Sequence, residues 1–111
     1  ALSSAASDVY KRQALGVVIG KEDKCFYMNV LVNMTKDCDC MAANQQKLIP
    51  DVGILGSFDP VAVDKATLDM TVQDNGANLA EASYGKLSSN IQLEHGVKVG
   101  LGSMEYDLKK I

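Results

Sequence analysis

Residues 37–69 read DCDCMAANQQKLIPDVGILGSFDPVAVDKATLD, and the reading of this stretch decides the fold. It holds Cys38 and Cys40, both prolines of the chain and a dense set of aspartates. A two-cysteine knuckle leads through a fully polar segment, Asn44–Lys47, to Pro50. The run Val52–Ser57 then has the composition of a short buried strand, and Gly53 and Gly56 mark places where backbone or ligand approaches closely. Asp59 stands at an N-cap position, with Pro60 at the first helical position, where its missing N–H is not needed. Val63, Ala66 and Met70 recur at i, i+3 and i+7. The helix expected from Pro60 to about Val72 therefore turns one apolar stripe inward, with Asp64 at its edge and Asp69 on its outer side.

Upstream, CFYMNVLVN (Cys25–Asn33) is rich in β-branched and aromatic residues and has strand length. Apolar residues fall on both of its faces, which suits a strand in a sheet covered on both sides. Cys25 then serves as a small buried hydrophobe. Between the two strands, residues 34–51 form a long loop, and loops beyond about 12–15 residues in a compact domain tend to be functional or disordered. ALGVVIG (Ala14–Gly20) reads as the last turns of a helix stopped by glycine. Residues 1–13, ALSSAASDVYKRQ, show no periodicity. The piece SDVYKRQ looks like a translated adapter or assembly scar, and a natural disordered terminus is the other reading; no function is placed there.

Downstream, Gln73–Gly76 is a turn, and Asn78 caps a short helix from Leu79 to about Tyr84 that Gly85 ends. A third helix is expected over Ile91–Val99, closed by Gly100. MEYDLKKI (Met104–Ile111) alternates and reads as an edge strand. The whole is an α/β fold, a layered mixed sheet with helices.

The chain has 111 residues, room for one domain. A net charge of −3 with no run of like charges argues against a nucleic-acid face, which needs clustered basic residues. No apolar run approaches the roughly 20 residues that span a bilayer, so no membrane partner is expected. Three cysteines without a secretion signal suit a reducing, cytoplasmic setting with free or metal-bound thiols.

Four features carry candidate chemistry. Thiolates are soft ligands, so Cys38 and Cys40 can contact iron or zinc, and the flanking carboxylates Asp37 and Asp39 favour a bound cation over a free nucleophilic thiol. The same spacing also fits a tight turn with two inert thiols. His95, the only histidine, is either a further ligand or proton carrier, or a residue of the helix edge. Asp51, Asp59, Asp64 and Asp69 resemble a carboxylate cluster, yet each also has a local duty at a loop end, a cap or a helix. Gly100–Ser103 can cradle a phosphate through backbone N–H groups, but a helix-to-strand turn is the reading the pattern favours, since no helix follows it.

Three segments resemble one family: KCFYMNVLVNMTKDCDC, IPDVGILGSFDPVAVDKATLDM and IQLEHGVKVGLGSMEYDL. Together they are similar to the C-terminal portion of the domain-of-unknown-function-362 family, the ferredoxin-linked iron–sulfur proteins of bacteria and archaea. The resemblance covers nearly everything from Ala14 to Ile111. It implies a partial domain of a larger fold, residues 14–111, whose N-terminal half is missing, and residues 1–13 stand where that half would connect. It also implies a parent that binds four-iron four-sulfur clusters through four-cysteine repeats. No such repeat is present, so none of those ligands can be carried over. Cys38 and Cys40 match the family's Asp-Cys-Asp-Cys wording. Asn44–Lys47 departs from the Ser-Asp-Ala-Pro-like turn more common in the family, which bears on the loop's conformation. Three functions are therefore expected as alternatives. The first is a redox or electron-transfer fragment with a redox partner and a metal contact at Cys38 and Cys40. The second is a structural α/β module with inert thiols. The third is a metal-dependent enzyme using loop aspartates, Asp51 and Asp59 among them.

Overall fold

Asp59 joins the two halves of the fold. In the computed structural model, which describes the backbone of residues 2–84 and 88–111 and the side chains of residues 9–38, 40–73, 76–84 and 88–111, its Oδ1 accepts the N–H groups of Val61 and Ala62 at 2.8 and 2.9 Å. Two of the donors that a helix start leaves unpaired are thereby satisfied. Its Oδ2 accepts the Ser103 N–H at 2.8 Å, 44 positions along the chain. The Ser103 N–H of the Gly100–Ser103 loop is thus taken by the protein's own carboxylate, and the loop serves as a turn. A Cβ on Gly102 would lie 2.0 Å from Asp59 Oδ1, so no side chain fits at that position.

The elements run in the order α1 (Leu2–Val18), β1 (Tyr27–Leu31), β2 (Gly53–Ser57), α2 (Pro60–Asn75), α3 (Leu79–Ser83) and α4 (Asn90–Lys98), with 3₁₀ turns at Glu22–Lys24 and Asp39–Met41. The fold is α/β, and its sheet is a two-stranded antiparallel pair with Tyr27 opposite Ser57 and Leu31 opposite Gly53. Helix α2 begins at Asp59–Pro60 as the sequence indicates. It runs three residues past Val72 because Gly76, at φ 74°, supplies the left-handed stop and donates its N–H to the Val72 carbonyl. Asn78 and Glu81 form a reciprocal capping box on α3. The stop assigned to Gly85 lies outside the described residues. Helix α4 falls within a residue of its expected span, and Gly100 follows it at φ 81°.

Two small cores hold these elements together. Leu31, Met34 and Ile49 are buried at the base of the long loop, with Leu48, Val52, Leu55, Leu79 and Ala82 against them. Val61, Leu93 and Leu101 form the second core where α1, α2 and α4 meet. Gly96 permits that meeting, because a Cβ there would stand 3.0 Å from Val61 Cγ2. Thr71 is fully buried and bridges the helices: its hydroxyl donates to the Leu68 carbonyl at 2.8 Å and accepts the Leu79 N–H at 3.2 Å. A buried hydroxyl without such partners would be costly.

Three expectations are corrected. The first helix starts at Leu2, not near Ala14, so the segment expected to stand apart continues into α1. Residues 2–13 contain no Gly or Pro, and their Ala, Lys, Arg and Gln residues sustain a helix once Ala14, Leu15 and Val18 anchor it on the second core. Met104–Ile111 is irregular, with a bend at Met104, and makes no strand ladder. It is held instead by Tyr106, whose hydroxyl donates to Asp69 Oδ2 at 2.7 Å, and a groove lined by Leu55, Met70 and Leu108 separates it from β2. The sheet, finally, is covered on one face only.

On the covered face α2 lies over Tyr27, Asn29, Leu31 and Leu55. Asn29 Nδ2 donates to Asp64 Oδ1 and to Thr67 Oγ1, each at 2.9 Å. The opposite face presents Phe26, Met28, Val30, Val32, Ile54 and Phe58, each 46–63% exposed. Phe26 lies over Gly56, where a Cβ would meet its ring at 2.6 Å, and packs edge-on against Phe58 with centroids 5.1 Å apart. The residues alternate as the sequence requires for a two-sided strand. The layer for the second side is absent among the described residues.

Replacing Asp59 by alanine is expected to cost about 1–2 kcal/mol, since it removes the cap as well as the Ser103 contact. Asp59→Asn, which still caps, should lose clearly less, and urea unfolding of the two variants checks the order. On the uncovered face, Ile54→Thr should shift stability by less than about 0.5 kcal/mol while lowering the fluorescence of a bound apolar dye.

Candidate functional site

The loop that carries Cys38 and Cys40 is fastened at its base. Val52 donates its N–H to the Leu31 carbonyl at 2.9 Å, and Leu48 donates to the Met34 carbonyl at 2.7 Å. Asn33 turns the chain at φ 53°, a conformation Asn tolerates better than most residues, and its N–H donates to Asp51 Oδ1 at 2.8 Å. Lys47 pairs with the other Asp51 oxygen at 2.8 Å. The Lys47 ammonium first, and then the Asn33 N–H, hold the Asp51 carboxyl below the ordinary carboxylate value.

Further out, the loop closes on Asp37. Gln45 uses both ends of its amide: Oε1 accepts the Asp37 N–H at 2.9 Å, and Nε2 donates to the Asp37 carbonyl at 3.1 Å. Thr35 Oγ1 donates to the same carbonyl at 3.0 Å. The Tyr84 hydroxyl, at the end of α3, donates to Asp37 Oδ1. That bond raises the Tyr84 pKa above its ordinary value. Lys36 Nζ sits 5.3 Å from the Tyr84 ring centre, a cation–π distance. The backbone and side chain of Asp37 are thus both engaged before the cysteines begin.

Cys38 and Cys40 follow directly on this anchor, and both are exposed. The Met41 N–H donates to the Cys38 carbonyl at 3.0 Å and closes a single turn. The Cys40 N–H donates to Cys38 Sγ at 3.4 Å. The neighbouring Cys38 thiol is the main reason the Cys40 thiol titrates above the ordinary thiol value. The arrangement is two soft donors side by side on a pinned turn, one of them receiving a backbone donor. Cys25 is apart, half-buried just before β1. Burial first, and then the neighbouring Cys25, raise the Tyr27 hydroxyl pKa.

The aspartates do not converge. Asp51 fastens the loop, Asp59 caps α2 and holds Ser103, and Asp64 accepts from Asn29. Asp69 pairs with Lys65 and accepts from Tyr106. Burial works to raise the Asp69 pKa, but the bonds from Lys65 and Tyr106 outweigh it and hold the group below its ordinary value. His95 is half-buried on α4 between Leu93 and Gly96. Among the described residues, no three His, Cys, Asp or Glu side chains gather where they could hold a metal ion.

The cysteine pair was visible in the sequence, but its supports were not. Gln45 lay in a stretch read only as polar, and Tyr84 at the end of an unrelated short helix. No spacing rule links either to Asp37. Comparison with protein-family models, with curated proteins and with solved structures finds no match.

Because its folded pKa is depressed, Asp51 contributes stability that is present above its unfolded value, near 3.8, and is lost as pH falls through the lower folded value. The protection of the Asn33 amide against hydrogen exchange, taken relative to its intrinsic rate at each pH, should therefore fall only below about pH 3.8, and this loss is the acceleration that reports the bond. In Lys47→Met the acceleration should begin at a higher pH, and an unchanged profile would show that the ion pair does not hold the loop base.

Proposed function

We propose that this chain is the scaffold part of a redox protein of the iron–sulfur, ferredoxin-linked type, working in the cytoplasm, with Cys38 and Cys40 as a thiolate contact for iron or zinc. The pinned turn that holds both sulfurs together and exposed carries this reading. Resemblance of three segments to that family supports it. Two thiolates supply half of a tetrahedral metal's ligands, and the rest would come from a redox partner or from the parent's other half. A four-iron four-sulfur cluster does not fit on this chain alone, since it takes four cysteines. The chain has three, and Cys25 is half-buried away from the pair.

A second reading is a structural module with inert thiols, one that completes the α/β core of a larger protein. The uncovered apolar sheet face favours it, as does the Met104–Ile111 segment lying beside β2 without a ladder. In that case the missing half of the parent supplies the second layer. The third possibility, an enzyme built on loop aspartates, has least support, because each aspartate is engaged in a local structural bond. No helix among the described residues is long and apolar enough to cross a membrane.

Metal analysis with a visible spectrum, on chain purified without oxygen, tests the first reading. Iron or zinc near one per chain is expected, and it should be lost in the Cys38→Ser, Cys40→Ser double variant. Equal stability within about 0.5 kcal/mol and no metal in either protein would favour the structural module.

A further inference from the structure

The same turn is arranged for a chemistry that needs no metal. We propose that Cys38 and Cys40 form a dithiol–disulfide exchange site for small-molecule disulfides of the glutathione class, with Cys38 attacking and Cys40 resolving. The proposal rests on reading this turn as a redox contact, but not on a bound ion.

Geometry is the first support. The turn closed by the Met41 N–H places two positions of a 3₁₀ turn together, and residues so spaced have Cα atoms about 5–6 Å apart. A disulfide accepts about 4.4–6.8 Å. The Cys40 N–H already reaches Cys38 Sγ at 3.4 Å. Access is the second support, since both sulfurs are exposed. Their two roles differ for a visible reason. The Cys40 N–H donates to Cys38 Sγ at 3.4 Å, which supports negative charge on that sulfur. No backbone donor of this kind is seen at Cys40 Sγ among the described residues. The half-buried Cys25 stands outside the pair. Anchorage is the third support. Gln45 and Thr35 fix the Asp37 backbone immediately before the turn, and Ala42 leaves it at φ 50°. The ring that such a disulfide closes is small and strained, and strained disulfides are oxidising and readily reduced. That suits turnover better than a permanent cross-link.

The steps balance. The Cys38 thiolate attacks one sulfur of the disulfide RSSR; the S–S bond breaks, RS⁻ leaves and takes up a proton, and a mixed disulfide remains on Cys38. Cys40 gives its proton to solvent and attacks Cys38 Sγ. The second RS⁻ leaves and is protonated. The protein has lost two electrons and two protons, and RSSR has become two RSH.

The test uses the full chain, reduced and stripped of metal, in oxidised glutathione, with peptide mapping by mass spectrometry. The peptide 37–47 should become two hydrogens lighter and resist alkylation, carrying the Cys38–Cys40 disulfide. In Cys40→Ser a glutathione adduct should accumulate on Cys38. With limiting alkylating reagent on the reduced wild-type chain, Cys38, whose Sγ receives the Cys40 N–H, should label faster than Cys40. Separate adducts on both cysteines of the wild-type chain, or preferential labelling of Cys40, would overturn the proposal. Zinc uptake by the same reduced chain, followed by thiolate–metal absorbance, is read independently. Uptake without exchange leaves the metal contact standing and removes the exchange site, whereas loss of both removes the redox reading altogether.

Discussion

The Asp59 carboxylate is the constraint on which the rest of the structure depends. One oxygen starts α2 and the other holds the chain arriving after α4. The helix N-terminus attracts negative charge because its first N–H groups are unpaired. The Gly100–Ser103 loop offers another N–H to the same anion. A single charge therefore satisfies donors from two parts of the chain that are far apart in sequence. Leu101, one residue from that loop's centre, is buried with Val61 and Leu93. The polar tie and the apolar core are adjacent, so the ordering cost of the loop is shared between them.

The long loop is built by the same economy of groups. Its polar residues are not solvent-facing filler: Gln45 serves both backbone groups of Asp37, and Asp51 serves both Asn33 and Lys47. Beneath them Ile49 and Met34 are buried with Leu31, which roots the loop in the sheet. A loop of this length without such bonds would expose unpaired backbone and move freely. With them, the cysteine turn is presented from a fixed base.

Much of the scaffold could be read from residues that act locally. Asp59-Pro60, the Asn78 cap and the glycine stop at 100 each act within a few positions, and each was legible; the Glu81 half of the capping box and the helix end at Gly76 were not. The two strand segments were legible too, because β-branched and aromatic residues mark them locally, whereas their antiparallel pairing was not. What escaped was everything set by distant partners. Met104–Ile111 alternates like a strand, but a strand needs an edge to pair with, and Tyr106 draws this segment toward Asp69 on α2 instead. Residues 2–13 lack an apolar stripe of their own, yet they continue a helix whose anchor lies at Ala14, Leu15 and Val18. At the candidate site the thiols were evident from spacing alone. The Gln45 and Tyr84 contacts to Asp37, across 8 and 47 positions, have no sequence signature.

Those two contacts also change how charge bears on the thiols. Read from the sequence, Asp37 and Asp39 surround the cysteines with negative charge, which opposes a thiolate unless a cation is present. In the structure Asp37 does not face the sulfurs as a bare carboxylate. Its Oδ1 takes the Tyr84 hydroxyl, and the Lys36 ammonium lies over that same ring. The hydroxyl dipole and the cation disperse the Asp37 charge away from the turn. A backbone N–H meanwhile points at Cys38 Sγ. The string Asp-Cys-Asp-Cys therefore overstates the bare charge that Asp37 brings to the turn. The supports that keep the turn in place also engage the Asp37 carboxylate, and one of the two sulfurs has a backbone donor, an arrangement that suits a soft metal ion or a disulfide alike.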